Sequence, residues 1–150
     1  MRLEELEVGQ SAEFTKTVSS EDVERFAEIT GDFNPVHLDD AVAEKSVFGG
    51  RVAHGMLTAG LISATLAGKL PGPGTVYLSQ TLRFTAPVRI GDTVTTRVEV
   101  TELIPAKRRV KLSTVCRNQK NEVVVNGEAM VLLPESAEYD VFEITGAQVK

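Results

Sequence analysis

The segment VAHGMLTAGLISATLAG (residues 52–68) decides the fold, because it is the least polar stretch of the chain and contains no charged residue. Its apolar side chains fall on all sides of a helix, and a helix of that kind is surrounded by protein. We therefore predict a buried helix over about residues 53–67, ended by the Pro-Gly-Pro-Gly run at 71–74. The segment is too short and too polar for the roughly 20 apolar residues of a membrane span, so no membrane partner is expected.

The chain after this helix has the pattern of β-structure, because the period of its apolar residues changes from about 3.6 to 2. Long strands are predicted at about 76–88, 92–104, 107–119 and 122–133. The alternation suits an antiparallel sheet with one face on a core. The inward-facing side chains of its two middle strands are predicted to be Val94, Val98, Val100, Val110, Leu112 and Cys116. One buried helix with such a sheet wrapped round it is an α+β fold.

Local capping signals organise the region before the central helix. A short strand is predicted at 11–18, followed by a helix with Ser19 as its N-cap and Asp22 three residues on. Gly31 follows the last residue of its helical period, the usual place for a terminating glycine. Asp39 is expected to cap a second short helix that runs to about Lys45.

Composition limits the class of protein. The 150 residues suit a single domain, 1–150, with a tail of unclear role at 134–150. A net charge of −5 argues against nucleic acid as the main partner. The single cysteine cannot form an internal disulfide, and the acidic N-terminus lacks the basic and apolar regions of a signal peptide. A cytoplasmic location is therefore predicted.

The stretch ITGDFNPVHLD (residues 29–39) carries the most specific chemistry, because it sets Asp32 and His37 five residues apart across a proline. Proline stiffens its own backbone and that of the residue before it, so the two groups are expected to be firmly held. Such a pair can hold one water and move protons in both directions. Spacing alone also allows a turn aspartate and a hydrogen-bonded histidine without catalytic roles.

A metal site is the other interpretation of this stretch, because Asp32, His37 and Asp39 are close in sequence. A first-row transition metal usually has a second histidine or a cysteine among its ligands. A calcium loop would need glycine at the sixth position, where His37 stands. No metal is therefore expected.

Three stretches of the chain resemble MaoC-like dehydratases, a family of (R)-specific enoyl-CoA hydratases with a hot-dog fold. The first, residues 26–41, is similar to the family's hydratase-2 motif. The second, GGRVAHGM (49–56), is similar to the segment that leads into the family's central helix. The third, LRFTAPVRIGDTV (82–94), resembles its first long hairpin. The resemblance covers about residues 8–133.

The resemblance implies a single hot-dog domain that reversibly hydrates trans-2-enoyl-CoA to (R)-3-hydroxyacyl-CoA. It assigns the catalytic pair to Asp32 and His37, and the backbone oxyanion donor to Gly55. It also implies no dissociable cofactor, an acyl-CoA or acyl-carrier-protein thioester as substrate, and a homodimer or dimer of dimers. Polyester synthesis or a fatty-acid cycle would use the product.

Further residues are predicted to contact the substrate, although each has a structural alternative. Asn34 is expected to bind substrate or water, or else to serve only the turn before Pro35. Ser63 lies two helical turns after Gly55 and is expected to face the acyl chain, with Leu66 as pocket wall or core. Arg83 is a candidate for the CoA phosphates. The basic run at 107–111 is another candidate, although such a run is more usually the solvated face of a hairpin. His54 is the rival of His37, and a structural role is favoured for it.

Two other functions stay open at this point. A hot-dog thioesterase would direct water at the thioester carbonyl, which the order Asp-x-Asn-Pro-x-His disfavours. A non-catalytic acyl-thioester-binding subunit would have no use for an intact Asp32 and His37 pair. The length of the acyl chain and the division of acid and base roles between Asp32 and His37 do not follow from the sequence.

Overall fold

A computed structural model describes residues 1–135 of the chain, which form an antiparallel sheet with four helices. Single 3₁₀ turns lie at Leu3–Glu5 and Pro105–Lys107. The helices and strands are, in chain order, β1 (Ser11–Thr17), α1 (Ser20–Thr30), α2 (Pro35–Leu38), α3 (Asp40–Glu44), α4 (Gly55–Gly68), β2 (Val76–Gln80), β3 (Arg83–Phe84), β4 (Thr93–Ile104), β5 (Arg109–Arg117) and β6 (Val123–Leu132). The predicted domain limits of 1–150 stay a prediction, because most of the tail lies outside the described residues.

The sheet has the order β1-β4-β5-β6-β2, and β3 also pairs with β6. Every neighbouring pair is antiparallel, as predicted. The inward-facing side chains predicted for β4 and β5 are all buried. Burial raises the pKa of the Cys116 thiol, although a hydrogen bond with the Thr96 hydroxyl opposes that shift. Cys116 is therefore an unreactive core residue, as its place on the strand indicated.

The single strand predicted at 76–88 is wrong, because the chain forms two shorter strands there, β2 and β3. The register against β6 is irregular between Tyr77 and Ser79. Beyond β2 the backbone crosses closely over Gly127, where an added Cβ would collide with the carbonyl oxygen of Thr81. Only glycine admits this approach, and the crossing separates the two strands.

The central helix α4 packs on the sheet through Leu61, Ile62 and Leu66, which are buried. The sheet covers the helix from one side. On the other side Met56, Gly60, Ser63, Ala64 and Ala67 are exposed in the single chain. The predicted enclosure of α4 by protein therefore holds only for its sheet-facing side.

The predicted ends of the first helices are confirmed. The Ser19 side chain accepts from the Asp22 amide, and the Asp22 side chain accepts from the Ser19 amide. Gly31 ends α1 in the left-handed region at φ +80°. The Asp39 side chain caps α3 by accepting from the Val42 amide, so Asp39 serves the fold. No helix within residues 1–135 has the length and apolar character to cross a membrane.

Candidate active site

The loop between α1 and α2 holds Asp32 in a tight turn. The Asp32 carboxylate accepts from the Asn34 amide at 3.2 Å, and the Asn34 side chain accepts from the Val36 amide at 3.3 Å. Asn34 is therefore the N-cap of α2, and Pro35 occupies the first position of that helix, where a missing N–H costs nothing. The stiffness expected of this motif arises from this chain of local hydrogen bonds.

His37 lies on the single turn of α2 and is fixed by the segment that precedes α4. Its Nδ1 lies 2.7 Å from the carbonyl oxygen of Val52. Because a carbonyl can only accept, Nδ1 carries the hydrogen and Nε2 is left for chemistry. The Arg51 guanidinium donates to the His37 carbonyl at 2.7 Å, which secures the backbone as well as the ring.

His54 is the second histidine of the site and is only 2% exposed. Its Nε2 lies 3.0 Å from the backbone carbonyl oxygen of Asp32, so Nε2 donates. Its ring stacks on His37 with centroids 3.9 Å apart and planes at 28°, and Phe26 packs on it with centroids 4.8 Å apart. His54 thus contacts both members of the predicted catalytic pair.

The three side chains form one cluster. A carboxylate oxygen of Asp32 and one ring nitrogen from each of His37 and His54 lie within 4.8 Å of one another. Two polar atoms at such a separation are within reach of a single bridging water, which needs about 2.8 Å to each. The geometry allows one water to be held between a carboxylate and an imidazole.

A metal ion would bind at the same cluster, because the cluster contains a second histidine, which is a usual ligand of a first-row transition metal. Two of the four ring nitrogens already donate to backbone carbonyls. Stacked rings also direct their in-plane lone pairs side by side rather than towards one point. The expectation of no metal stays a prediction, and the stacking is its physical support.

The N-terminus of α4 faces the cluster and begins at Gly55. Within residues 1–135 the Gly55 amide has no hydrogen-bond acceptor, as is usual in the first turn of a helix. The ring of Phe84 lies against this residue, and an added Cβ at Gly55 would be 2.7 Å from two of its carbons. A free amide at the positive end of a helix is suited to a developing negative charge.

A cleft of about 640 Å³ joins these groups. Asp32, Asn34, His37 and Gly55 line it, together with mostly apolar side chains that include Val36, Val52, Met56, Phe84, Ala86 and Val125. The other predicted substrate contacts do not line it in the single chain. Ser63 and Arg83 are exposed elsewhere, and Leu66 lies in the core.

The family profile described as MaoC like domain matches residues 4–126, which is most of the chain. The chain belongs to the MaoC-like family. It is 56% identical over 91% of its length to the 3-hydroxybutyryl-CoA dehydratase of Methylorubrum extorquens, covering 87% of that protein. It is 50% identical to the (R)-specific enoyl-CoA hydratase of Rhodospirillum rubrum, over 87% of this chain and 90% of that protein.

A solved structure gives the same answer for the fold. The R-hydratase PhaJ1 of Pseudomonas aeruginosa, in its unliganded form, superposes with a TM-score of 0.85 at 51% identity. The match covers 90% of this chain and 86% of that one. The predicted hot-dog fold and the predicted family are therefore confirmed, and the MaoC-like chain has its predicted α+β architecture.

Four further residues of this MaoC-like site lie in or beside the cluster and the cleft. His54, for which a structural role is predicted, donates to the Asp32 carbonyl and stacks on His37. Thr58 lies one turn later and lines the cleft. Its buried hydroxyl has no hydrogen-bond partner among the described residues, and neither has Nδ1 of His54. The places of Arg51 and Phe84 in the site were not predictable from the sequence, because their roles come from contacts between distant segments.

Proposed function

We propose that this protein is a hydro-lyase that reversibly adds water to a trans-2-enoyl-CoA and produces the (R)-3-hydroxyacyl-CoA. The observation that carries the proposal is the cluster of Asp32 and His37 within 4.8 Å, in a mainly apolar cleft that also contains the N-terminus of α4. The stereochemistry and the thioester follow the MaoC-like relatives that are named for them.

The pair performs both proton transfers of the reaction. A water held by Asp32 and by Nε2 of His37 attacks C3 of the enoyl group while the unprotonated member of the pair accepts its proton. The other member enters the step carrying a proton and donates it to C2, and reversal of these steps is dehydration. Because Nδ1 of His37 is committed to the Val52 carbonyl, Nε2 is the only nitrogen of this ring that can take part.

The thioester oxygen needs stabilisation during the reaction, because attack at C3 gives it the negative charge of an enolate. The free amide of Gly55 is the donor, aided by the dipole of α4. The absence of a side chain at Gly55 leaves room for the thioester beside the ring of Phe84. Removing such a donor typically costs about 10²–10³ in rate.

The acyl group occupies the apolar part of the cleft, and the CoA or acyl-carrier-protein portion extends to solvent. Water is the only co-reactant, so no dissociable cofactor or metal is required. Asn34 contributes by holding the loop of Asp32 through its cap of α2. Ser63, Leu66 and Arg83 stay predicted substrate contacts and require a route to the cleft that the single chain does not provide.

The active particle is a homodimer or a dimer of dimers. β2 is an edge strand that exposes Val76, Tyr77 and Leu78, and α4 exposes a stripe of small and apolar side chains. An exposed apolar edge strand is a hazard unless another strand pairs with it. Pairing of two β2 edges would join the sheets and cover this surface.

Crotonyl-CoA distinguishes the candidate functions in one assay that follows the enoyl-thioester absorbance and free thiol together. Loss of absorbance without thiol release is the expected result and means hydration. Release of thiol would show a thioesterase. Binding of a series of enoyl-CoA chain lengths without turnover of any of them would show a non-catalytic subunit.

A further inference from the structure

The proposed mechanism gives roles to Asp32, His37 and Gly55 but none to His54. The imidazole of His54 is almost completely buried between Phe26 and His37, where an apolar side chain would ordinarily be found. Its Nδ1 has no hydrogen-bond partner within residues 1–135. A buried acceptor without a partner destabilises the folded chain, so packing alone gives no reason for a histidine here.

The contacts of His54 supply a reason. Its Nε2–H donates to the backbone carbonyl of Asp32 at 3.0 Å, across 22 positions of sequence. Its ring face stacks on the ring of His37 at a centroid distance of 3.9 Å. One rigid side chain therefore contacts the backbone of one predicted catalytic residue and the side chain of the other.

Asp32 needs such support more than His37 does. The ring and backbone of His37 are already fixed by Val52 and Arg51. Asp32 is exposed, and its other hydrogen bonds are to Thr30 and Asn34, within its own loop. Within residues 1–135, the hydrogen bond from His54, the N-cap of α4, connects this loop to the start of α4, where the Gly55 amide lies.

We propose that His54 is a positioning residue that sets the separation of the Asp32 carboxylate from the His37 ring. This inference rests on the proposed hydratase function. The Nε2–H of His54 holds the Asp32 loop, and the face of the His54 ring keeps the His37 ring stacked against it. A displacement of about 1 Å between reacting groups can cost about 10² in rate, so the role is expected to affect kcat rather than substrate binding.

Three substitutions separate the two contacts. His54→Gln keeps an N–H donor at a reach close to that of Nε2, so kcat should fall by less than about tenfold. His54→Phe keeps the stacked ring but leaves the Asp32 carbonyl unpaired, and His54→Leu loses both contacts. We expect kcat on crotonyl-CoA to fall by about 10–10² in these two variants, with KM changed by less than about threefold.

Ile62→Val is the matched control, because Ile62 is fully buried in the same helix and does not line the cleft. It should lower thermal stability without lowering kcat. A purely structural role for His54 would make kcat in all four variants follow the folded fraction, or would leave kcat of folded His54→Phe at the wild-type value. Either result overturns the proposal.

Crystal structures of the His54 variants make this test independent of turnover. We expect the Asp32 loop to shift away from His37 in His54→Phe and to keep its place in His54→Gln. An unmoved Asp32 loop in both His54→Phe and His54→Leu contradicts the positioning role. A wild-type protein without hydratase activity would instead reject the proposed function, and the crystal structures would still decide whether His54 holds the loop.

Discussion

Asp32→Asn replaces one carboxylate oxygen by an amide and keeps the size of the side chain. The remaining oxygen can still accept from the Asn34 amide, so the free energy of unfolding should change by less than about 0.5 kcal/mol. The proton acceptor or donor is lost, and kcat on crotonyl-CoA should fall by about 10²–10⁴. Turnover near the wild-type rate would exclude Asp32 from the chemistry.

The two histidines differ in what their removal takes away. In the proposed mechanism His37 holds the reacting water, so kcat of His37→Ala should fall by about 10²–10⁴. His54→Ala removes only a support, so its loss of kcat should be at least about tenfold smaller. Steady-state kinetics of both variants, with folding checked by circular dichroism, gives the ranking. A larger loss in His54→Ala would mean that the chemistry belongs to the other histidine.

Gly55→Ala tests the oxyanion donor through the space around it. The new methyl group would meet the ring of Phe84, which is 54% exposed and can move aside without unfolding the chain. The thioester would lose close access to the amide, and kcat/KM should fall by up to about 10²–10³. Gly68→Ala, in the same helix with open space around it, is the control and should keep wild-type kinetics.

For single residues, the sequence predicted which positions belong to the site better than it predicted their contacts. The motif at 29–39 was sufficient to single out Asp32, Asn34 and His37, because they are close along the chain. The stacking of His54 on His37 was not predictable, since it depends on how α4 meets the loop after α1. The catalytic roles themselves stay predictions until the variants are measured.

At the scale of single helices and strands, the stability contributed by the capped N-terminus of α1 should depend on pH. Burial tends to raise the pKa of the Asp22 carboxyl, but hydrogen bonds from Ser19 and the nearby Lys16 ammonium outweigh it and lower the pKa below its ordinary value. A lowered folded-state pKa adds stability that is complete above the unfolded value and is lost as the pH falls through the folded value. The contribution is therefore present at neutral pH.

Asp22→Asn should remove this contribution, which is expected to be under about 1 kcal/mol because the carboxylate is partly exposed. The variant should be less stable than wild type in urea at about pH 7, and the difference should shrink as the pH falls below the ordinary pKa of an aspartate carboxyl. A difference that stays constant across this range would mean that charge plays no part in the cap.

For helices and strands too, features caused by residues close in sequence were predictable, and those caused by distant residues were not. Caps at Ser19, Gly31 and Asp39 were predictable because each involves residues within four positions of one another. The break of the strand at 76–88 was not, because its cause is the approach of Thr81 to Gly127, more than 40 positions away. Alternation in β4 and β5 was reliable since both strands have one face on the core.

For the whole molecule, the main expectation concerns its assembly. If the exposed edge of β2 pairs with a second copy, the particle in solution should have at least twice the mass of the 16.2 kDa chain. Leu78→Lys places a charge on that edge and should shift the mass towards a single chain. Val8→Lys, at another exposed apolar position, is the control. Light scattering that finds single chains of the wild-type protein would contradict the proposed dimer.

The fold class was predictable because three separated stretches matched one family, and the order of the central helix and the strands agreed with that family. The enclosure of α4 was not predictable from one chain. An apolar helix indicates contact with protein, but the pattern does not say whether that protein is the same chain or another copy. Ser63, on the exposed side of α4, is a residue whose role depends on that difference.

The most direct test of the proposed chemistry is chiral analysis of the product formed from crotonyl-CoA by wild-type protein and by Asp32→Asn. The wild-type protein should form (R)-3-hydroxybutyryl-CoA, and the variant should form about 10²-fold less or lower still. A product of the (S) configuration, or an equal yield of the (R) product from Asp32→Asn, would contradict an (R)-specific hydration by Asp32 and His37.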